Sequence, residues 1–231
     1  MEMSTTATAG TLTEIAMLDK KEIYGETMKN FIRIISVFLC TIVLYGCQNQ
    51  FGVQPTNEGI VDDIILGKSQ SQLDAEYSLE LIMYTGQFYE DTELGAFYGD
   101  NWVGKCKLVI SHNGMIESEY MLDDDWSEPM RFGNQFEIET YDYDNDGQSE
   151  FLIGQYLSSN INKYILYRMT KEKTIEKIEG GENINISGKD RYSCTIDLIE
   201  LGIASYQYYD NSQGVEVKRI VRFEGDKVVI E

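Results

Sequence analysis

The residues best equipped for chemistry lie between Tyr141 and Glu150, in the run Tyr-Asp-Tyr-Asp-Asn-Asp-Gly-Gln-Ser-Glu. Counting from Asp142, carboxylates occupy positions 1, 3, 5 and 9 and a glycine occupies position 6. Acids at alternate positions of a tightly curled loop can all point at one centre, and four of them repel one another unless a cation intervenes. Calcium, a hard ion, takes six to eight oxygens at about 2.3–2.6 Å. Asp142, Asp144 and Asp146 would each give one carboxylate oxygen, Gln148 its backbone carbonyl, and Glu150 would close the shell, with Gly147 allowing the sharp turn. The competing expectation is an acidic, solvated turn that holds no ion.

Two family patterns bear on this loop. An EF-hand needs Glu at the twelfth position and helices on both sides, but Ile153 stands there and Phe136–Thr140 and Phe151–Tyr156 read as strands. Asp142, Asp144, Asp146, Gly147 and Glu150, followed by the apolar Phe151-Leu152-Ile153-Gly154, instead resemble the FG-GAP/VCBS repeat, roughly D-x-D-x-D-G-x-x-D/E before a strand. The resemblance spans about Gln135–Ile175 and implies a calcium loop between strands of a β-propeller blade. No second full loop occurs: Asp123-Asp124-Asp125 lacks the glycine and Asp210–Gly214 lacks the acids. One marked blade is too few for a propeller, which needs at least about four.

A second cue lies upstream. Lys29 and Arg33 precede the apolar run Ile34–Tyr45, which is shorter than the roughly 20 residues that cross a bilayer and has the proportions of a signal-peptide core. It ends in Leu44-Tyr45-Gly46-Cys47, which resembles the bacterial lipobox, with Tyr45 where a smaller residue is usual. That resemblance implies lipidation of Cys47 and a chain anchored to the outer face of the bacterial membrane. The expected organisation is a mis-called or disordered extension over 1–27, a signal peptide over 28–46, the lipidated cysteine and a polar tether over 47–75, and a β-rich domain over 76–231. A real cytoplasmic extension on an uncleaved anchor is the other reading of 1–27. A short helical turn is expected around Ile60–Leu66, within the tether.

Composition narrows the partners. The chain holds 39 acids against 19 bases, and residues 1–46 account for 5 and 4 of these, leaving 34 against 15. So acidic a surface repels phosphate backbones and makes nucleic acid an unsuitable partner. Sixteen tyrosines and two prolines, with many β-branched residues, favour strands. About ten short strands are expected, at Tyr77–Tyr84, Lys105–Ser111, Met115–Leu122, Phe136–Thr140, Phe151–Tyr156, Lys163–Met169, Thr174–Ile178, Arg191–Ile199, Ile203–Tyr209, Val215–Phe223 and Lys227–Ile230. These runs, joined by turns such as Asn113-Gly114, predict an all-β domain of antiparallel sheets, either a partial propeller or a sandwich.

His112 is the only histidine, so neither Ser-His-Asp nor Cys-His catalysis is supported, and Cys106, Cys194 and His112 do not make an evident zinc set. Cys106 and Cys194 are expected either as one disulfide or as two buried thiols. Trp102, Trp126, Tyr206, Tyr208 and Tyr209 are candidates for stacking on a ligand, though core packing is the commoner use of such residues. The functional expectation is a non-enzymatic surface lipoprotein with an extracellular protein or glycan ligand. The alternatives are an accessory protein of an envelope, secretion or conjugation apparatus and, behind that, a wall-polymer hydrolase.

Overall fold

The computed structural model describes residues 59–69 and 77–231, all within one compact unit that runs Phe51–Glu231. The expected signal peptide, the expected anchor site at Cys47 and most of the expected tether lie outside the described residues. Within them every regular element is a strand, which agrees with the all-β, antiparallel expectation.

The strands form three sheets that follow one another along the chain. The first contains β1 (Gly59–Val61), β2 (Ile64–Lys68), β3 (Tyr77–Asp91), β4 (Gly99–His112), β5 (Met115–Met121), β6 (Met130–Phe132) and β7 (Phe136–Glu137). Its backbone is the long β3–β4 pair, where Leu79, Leu81 and Met83 alternate inward as a period-2 strand requires. The second contains β8 (Thr140–Tyr141), β9 (Ser149–Ser158), β10 (Ile161–Met169), β11 (Ile175–Lys177) and β12 (Ile184–Ser187). The third is a meander of β13 (Asp197–Glu200), β14 (Ile203–Asp210), β15 (Val215–Glu224) and β16 (Lys227–Ile230).

Two cores join these sheets, and the second sheet contributes to both. Phe151, Ile153, Ile165, Tyr167 and Met169 pack toward Leu81, Leu108 and Phe132 of the first sheet. The alternate residues Leu152, Tyr164 and Leu166 pack toward Ala204, Tyr206 and Val221 of the third. The second sheet is therefore a middle layer buried on both faces, which is why β9 and β10 carry the continuous apolar runs Phe151–Ile153 and Tyr164–Tyr167 at their centres.

The structure corrects the expectations in particular places. Ile60–Leu66, expected as a helical turn in a tether, contributes to β1 and β2, and Leu66 is fully buried. β2 pairs antiparallel with β3 and parallel with β7, so the β-domain recruits residues assigned to the tether. The described residues hold sixteen strands, because β6 and β12 also escaped notice, the first two were masked by polar flanks, and the expected strand Phe136–Thr140 divides into β7 of the first sheet and β8 of the second. Of the expected strand Arg191–Ile199, only Asp197 onward joins a ladder. The preceding residues take their bonds elsewhere: Gly154 N–H donates to the Tyr192 carbonyl, Thr195 N–H to Glu139 and Ile196 N–H to Tyr143. Gly154 permits this approach, since a Cβ there would lie 2.4 Å from the Tyr164 ring and 2.5 Å from the Arg191 carbonyl.

Cys106 and Cys194 are buried free thiols, one in each core. Trp102 belongs to the first core and is not a surface platform.

Candidate metal centre

β8 and β9 pair as Thr140↔Phe151 and Tyr141↔Glu150, so residues 142–149 form the loop of an antiparallel hairpin at the edge of the middle sheet. The flanking elements are strands, as the sequence predicted. Asn145 (φ 58°) and Gly147 (φ 84°) both sit in the left-handed region, which folds the loop back on itself. A Cβ on Gly147 would meet nothing closer than Lys171 Cε at 3.5 Å, so its glycine answers a backbone need and not a lack of room.

The curl brings Asp142, Asp144 and Asp146 together, each offering a carboxylate oxygen, with these oxygens all within 4.8 Å of one another. Two oxygens bound to one calcium at about 2.4 Å can be at most about 4.8 Å apart, so the triad meets the geometric condition for one ion. Backbone donors hold the carboxylates in place. Asp142 accepts from Asp146 N–H at 3.1 Å and from Gly147 N–H at 3.0 Å. Asp146 accepts from Gln148 N–H at 2.7 Å and from the Gln148 side-chain amide at 2.6 Å.

The electrostatics show the crowding. Burial, then the neighbouring Asp146 and Asp142 carboxylates, push Asp144 above the ordinary carboxylate range. Burial acts the same way on Asp146, but the Gln148 donors outweigh it and hold that carboxyl low. None of the three forms an ion pair with a lysine or arginine among the described residues.

Glu150 stands apart. It is 1 % exposed and lies beneath the loop, where its Oε2 accepts from Tyr143 N–H at 3.1 Å. Burial pushes its carboxyl up to about 8, opposed by that hydrogen bond and by the buried Arg168 directly across the β9–β10 ladder. The converging oxygens are thus those of the three aspartates, and Glu150 is not among them. The predicted set is brought together in part: three aspartates at the mouth, Gln148 bracing Asp146, and Glu150 as a buried floor.

Sequence reasoning overlooked what roots the loop. Tyr143, between two of the aspartates, turns inward to the second core, where its ring stacks on Phe223 with centroids 5.0 Å apart. Its hydroxyl accepts from Ile196 N–H at 2.9 Å, and its carbonyl accepts from Gly202 N–H at 2.8 Å. Arg168, also overlooked, reaches from β10 to the Gly225 carbonyl and to Asp226. An acidic-aromatic alternation within the loop was the available signal for Tyr143; nothing local marked Arg168.

Comparison of the chain with protein-family models, with curated proteins and with solved structures finds no match. The chemistry of the loop therefore rests on its own geometry.

Proposed function

We propose that the loop Asp142–Glu150 binds one calcium ion and that this ion rigidifies a non-enzymatic binding domain displayed outside a bacterial cell on a lipid anchor at Cys47. The observation that carries the cation is the convergence of Asp142, Asp144 and Asp146 within the span one calcium can bridge. The three side chains supply fewer oxygens than calcium takes, so the Gln148 carbonyl, a reoriented Glu150 and water would complete the shell. An ion at the hairpin edge would bear on both faces of the stack, since Tyr143 enters one core and Phe151, just past Glu150, the other. The strand–loop–strand setting supports the FG-GAP/VCBS-like reading, in the form of a single repeat. Export and anchoring rest on the Lys29–Cys47 pattern alone.

The test is calorimetric titration of calcium into the chelator-treated full-length chain, with thermal unfolding beside it. One saturable site that raises the melting temperature and disappears in Asp144→Ala is the expected result. Absence of both heat and thermal shift would reduce the loop to an acidic turn. Labelling with a radioactive fatty acid, lost in Cys47→Ala, tests the anchor separately.

A further inference from the structure

β13 has little of its own to hold it in place. Each of its residues, Asp197–Glu200, is exposed, and its outer edge has no ladder partner among the described residues. It pairs with β14 only at Asp197↔Ser205, Leu198↔Ala204 and Glu200↔Ile203, with a register shift between Leu198 and Glu200. Lys189 pairs with Asp197 at 3.4 Å, but both side chains are exposed and such a pair adds little. Yet one residue closes both ends of the strand. Tyr143 Oη accepts from Ile196 N–H at 2.9 Å, just before β13, and the Tyr143 carbonyl accepts from Gly202 N–H at 2.8 Å, in the turn just after it. That turn also touches the acidic loop, since a Cβ on Gly202 would lie 3.9 Å from Asp144 Cβ.

We infer that β13 is a strap whose seat on β14 is set by the ion in the Asp142–Glu150 loop. The inference rests on the calcium reading of that loop and extends it to the third sheet. Tyr143 stands between Asp142 and Asp144, so both of its acceptors keep their places only while the backbone through those aspartates keeps its curl. Three carboxylates within 4.8 Å of one another push that curl open, and an ion between them pulls it shut. Closing the curl presents the hydroxyl and carbonyl of Tyr143 to the two ends of β13, and opening it withdraws them. Ile196 is buried in the second core, so the start of the strap stays rooted. The Glu200–Gly202 end is the one that moves, restrained by Phe223 N–H donating to the Gly202 carbonyl at 2.9 Å. Seated, β13 leaves the edge of β14 open over Tyr206–Tyr209; released, it opens Ile203–Tyr209. An unpaired edge is a template for another strand, so the strap decides how much of that template is on offer. The coupling is reciprocal: whatever loosens the strap weakens calcium binding by the same factor.

The experiment is amide hydrogen exchange of the full-length protein in saturating calcium and in chelator, with calorimetric calcium titration beside it. Amides of Ile196–Ile203 should exchange about tenfold or more slowly with calcium, while those of the β3–β4 pair change far less. Tyr143→Phe keeps the ring and the carbonyl but removes Oη. It should still bind calcium, more weakly than wild type, and should lose protection at Ile196. The wild-type comparison needs no variant, so it stands even if Tyr143→Phe fails to fold. Heat of calcium binding with unchanged exchange over Ile196–Ile203, or slowing spread evenly over all three sheets, would overturn the strap and leave the calcium site intact. Wild-type affinity and wild-type exchange in Tyr143→Phe would overturn it as well. A calorimetric blank would remove the calcium reading, and the strap with it.

Discussion

Two runs of acids in this chain look alike in sequence and sit in opposite surroundings. In Asp123-Asp124-Asp125, carboxylates are matched by protein groups. Asp123 accepts from Tyr84 and lies 3.2 Å from Lys105 Nζ. Asp125 accepts from the Tyr120 and Tyr167 hydroxyls at 3.0 Å each and pairs with Lys177 at 2.6 Å. Its side chain is 3 % exposed, and it ties the β5–β6 connection to β10 and β11 of the middle sheet. In Asp142–Asp146 the acids meet one another, backbone N–H groups and the Gln148 amide, and form no ion pair among the described residues, Lys171 and Arg168 acting on them only at longer range. Equal local charge thus meets two arrangements: pairing with distant side chains, or a cluster held by local donors. What separates them is long-range pairing, 42 and 52 residues away in the case of Asp125.

The comparison breaks most visibly at Asp125. Asp125→Ala strands the hydroxyls of the buried Tyr167 and the half-buried Tyr120 together with Lys177, and should cost about 3 kcal/mol of stability. Denaturant unfolding should give the same loss in calcium and in chelator, because this cluster needs no ion. A loss that calcium repairs would mean the two acidic runs are not independent. Next in size is the ion itself: calcium at about a hundred times its dissociation constant should stabilise the wild type by about 2.7 kcal/mol. For a chain of this length that is a melting shift of roughly 5–11 °C. Asp144→Ala should lose the shift, whereas Asp123→Asn should keep it.

The part of this picture legible in the sequence was the part carried by local pattern. Strand periodicity located most of the ladders, and the 1-3-5 spacing picked out the three aspartates that converge. Glu150, at position 9, already lies in β9, where pairing with Tyr141 and burial keep it outside the cluster that the three aspartates form, a placement the spacing alone did not show. Ile64–Lys68 read as tether because its neighbours are polar, although its apolar residues pair with β3 and, in parallel, with β7, which lies far along the chain. Tyr206–Tyr209 of β14 run past the end of β13 and keep one edge without a ladder partner among the described residues, a property of pairing and not of any residue run.

Tyr143 sharpens the comparison from the other side. As Tyr120 and Tyr167 root Asp125, so Tyr143 roots the open loop in the second core, but through its own hydroxyl and not through a carboxylate. Tyr143→Phe keeps the ring against Phe223 and removes the acceptor for Ile196 N–H, at a cost of about 1 kcal/mol. Calcium should still bind at one site. An unchanged melting temperature would show that the ring alone anchors the loop.

The smallest expected effect is at Asn145, and it discriminates between kinds of loop. Asn145 is exposed, has φ 58°, and stands at the fourth position, between two converging aspartates. Glycine takes that backbone conformation freely, and asparagine is among the few other residues that tolerate it, so relieved strain and added unfolded-state freedom nearly cancel. Asn145→Gly should therefore change stability by less than about 0.5 kcal/mol. Calcium affinity should also stay within about threefold of wild type, because the alternating acids and not the residues between them face the ion. A fall in affinity comparable to that of Asp144→Ala would place the Asn145 amide in the shell and require a loop curled in a different register from the one seen here.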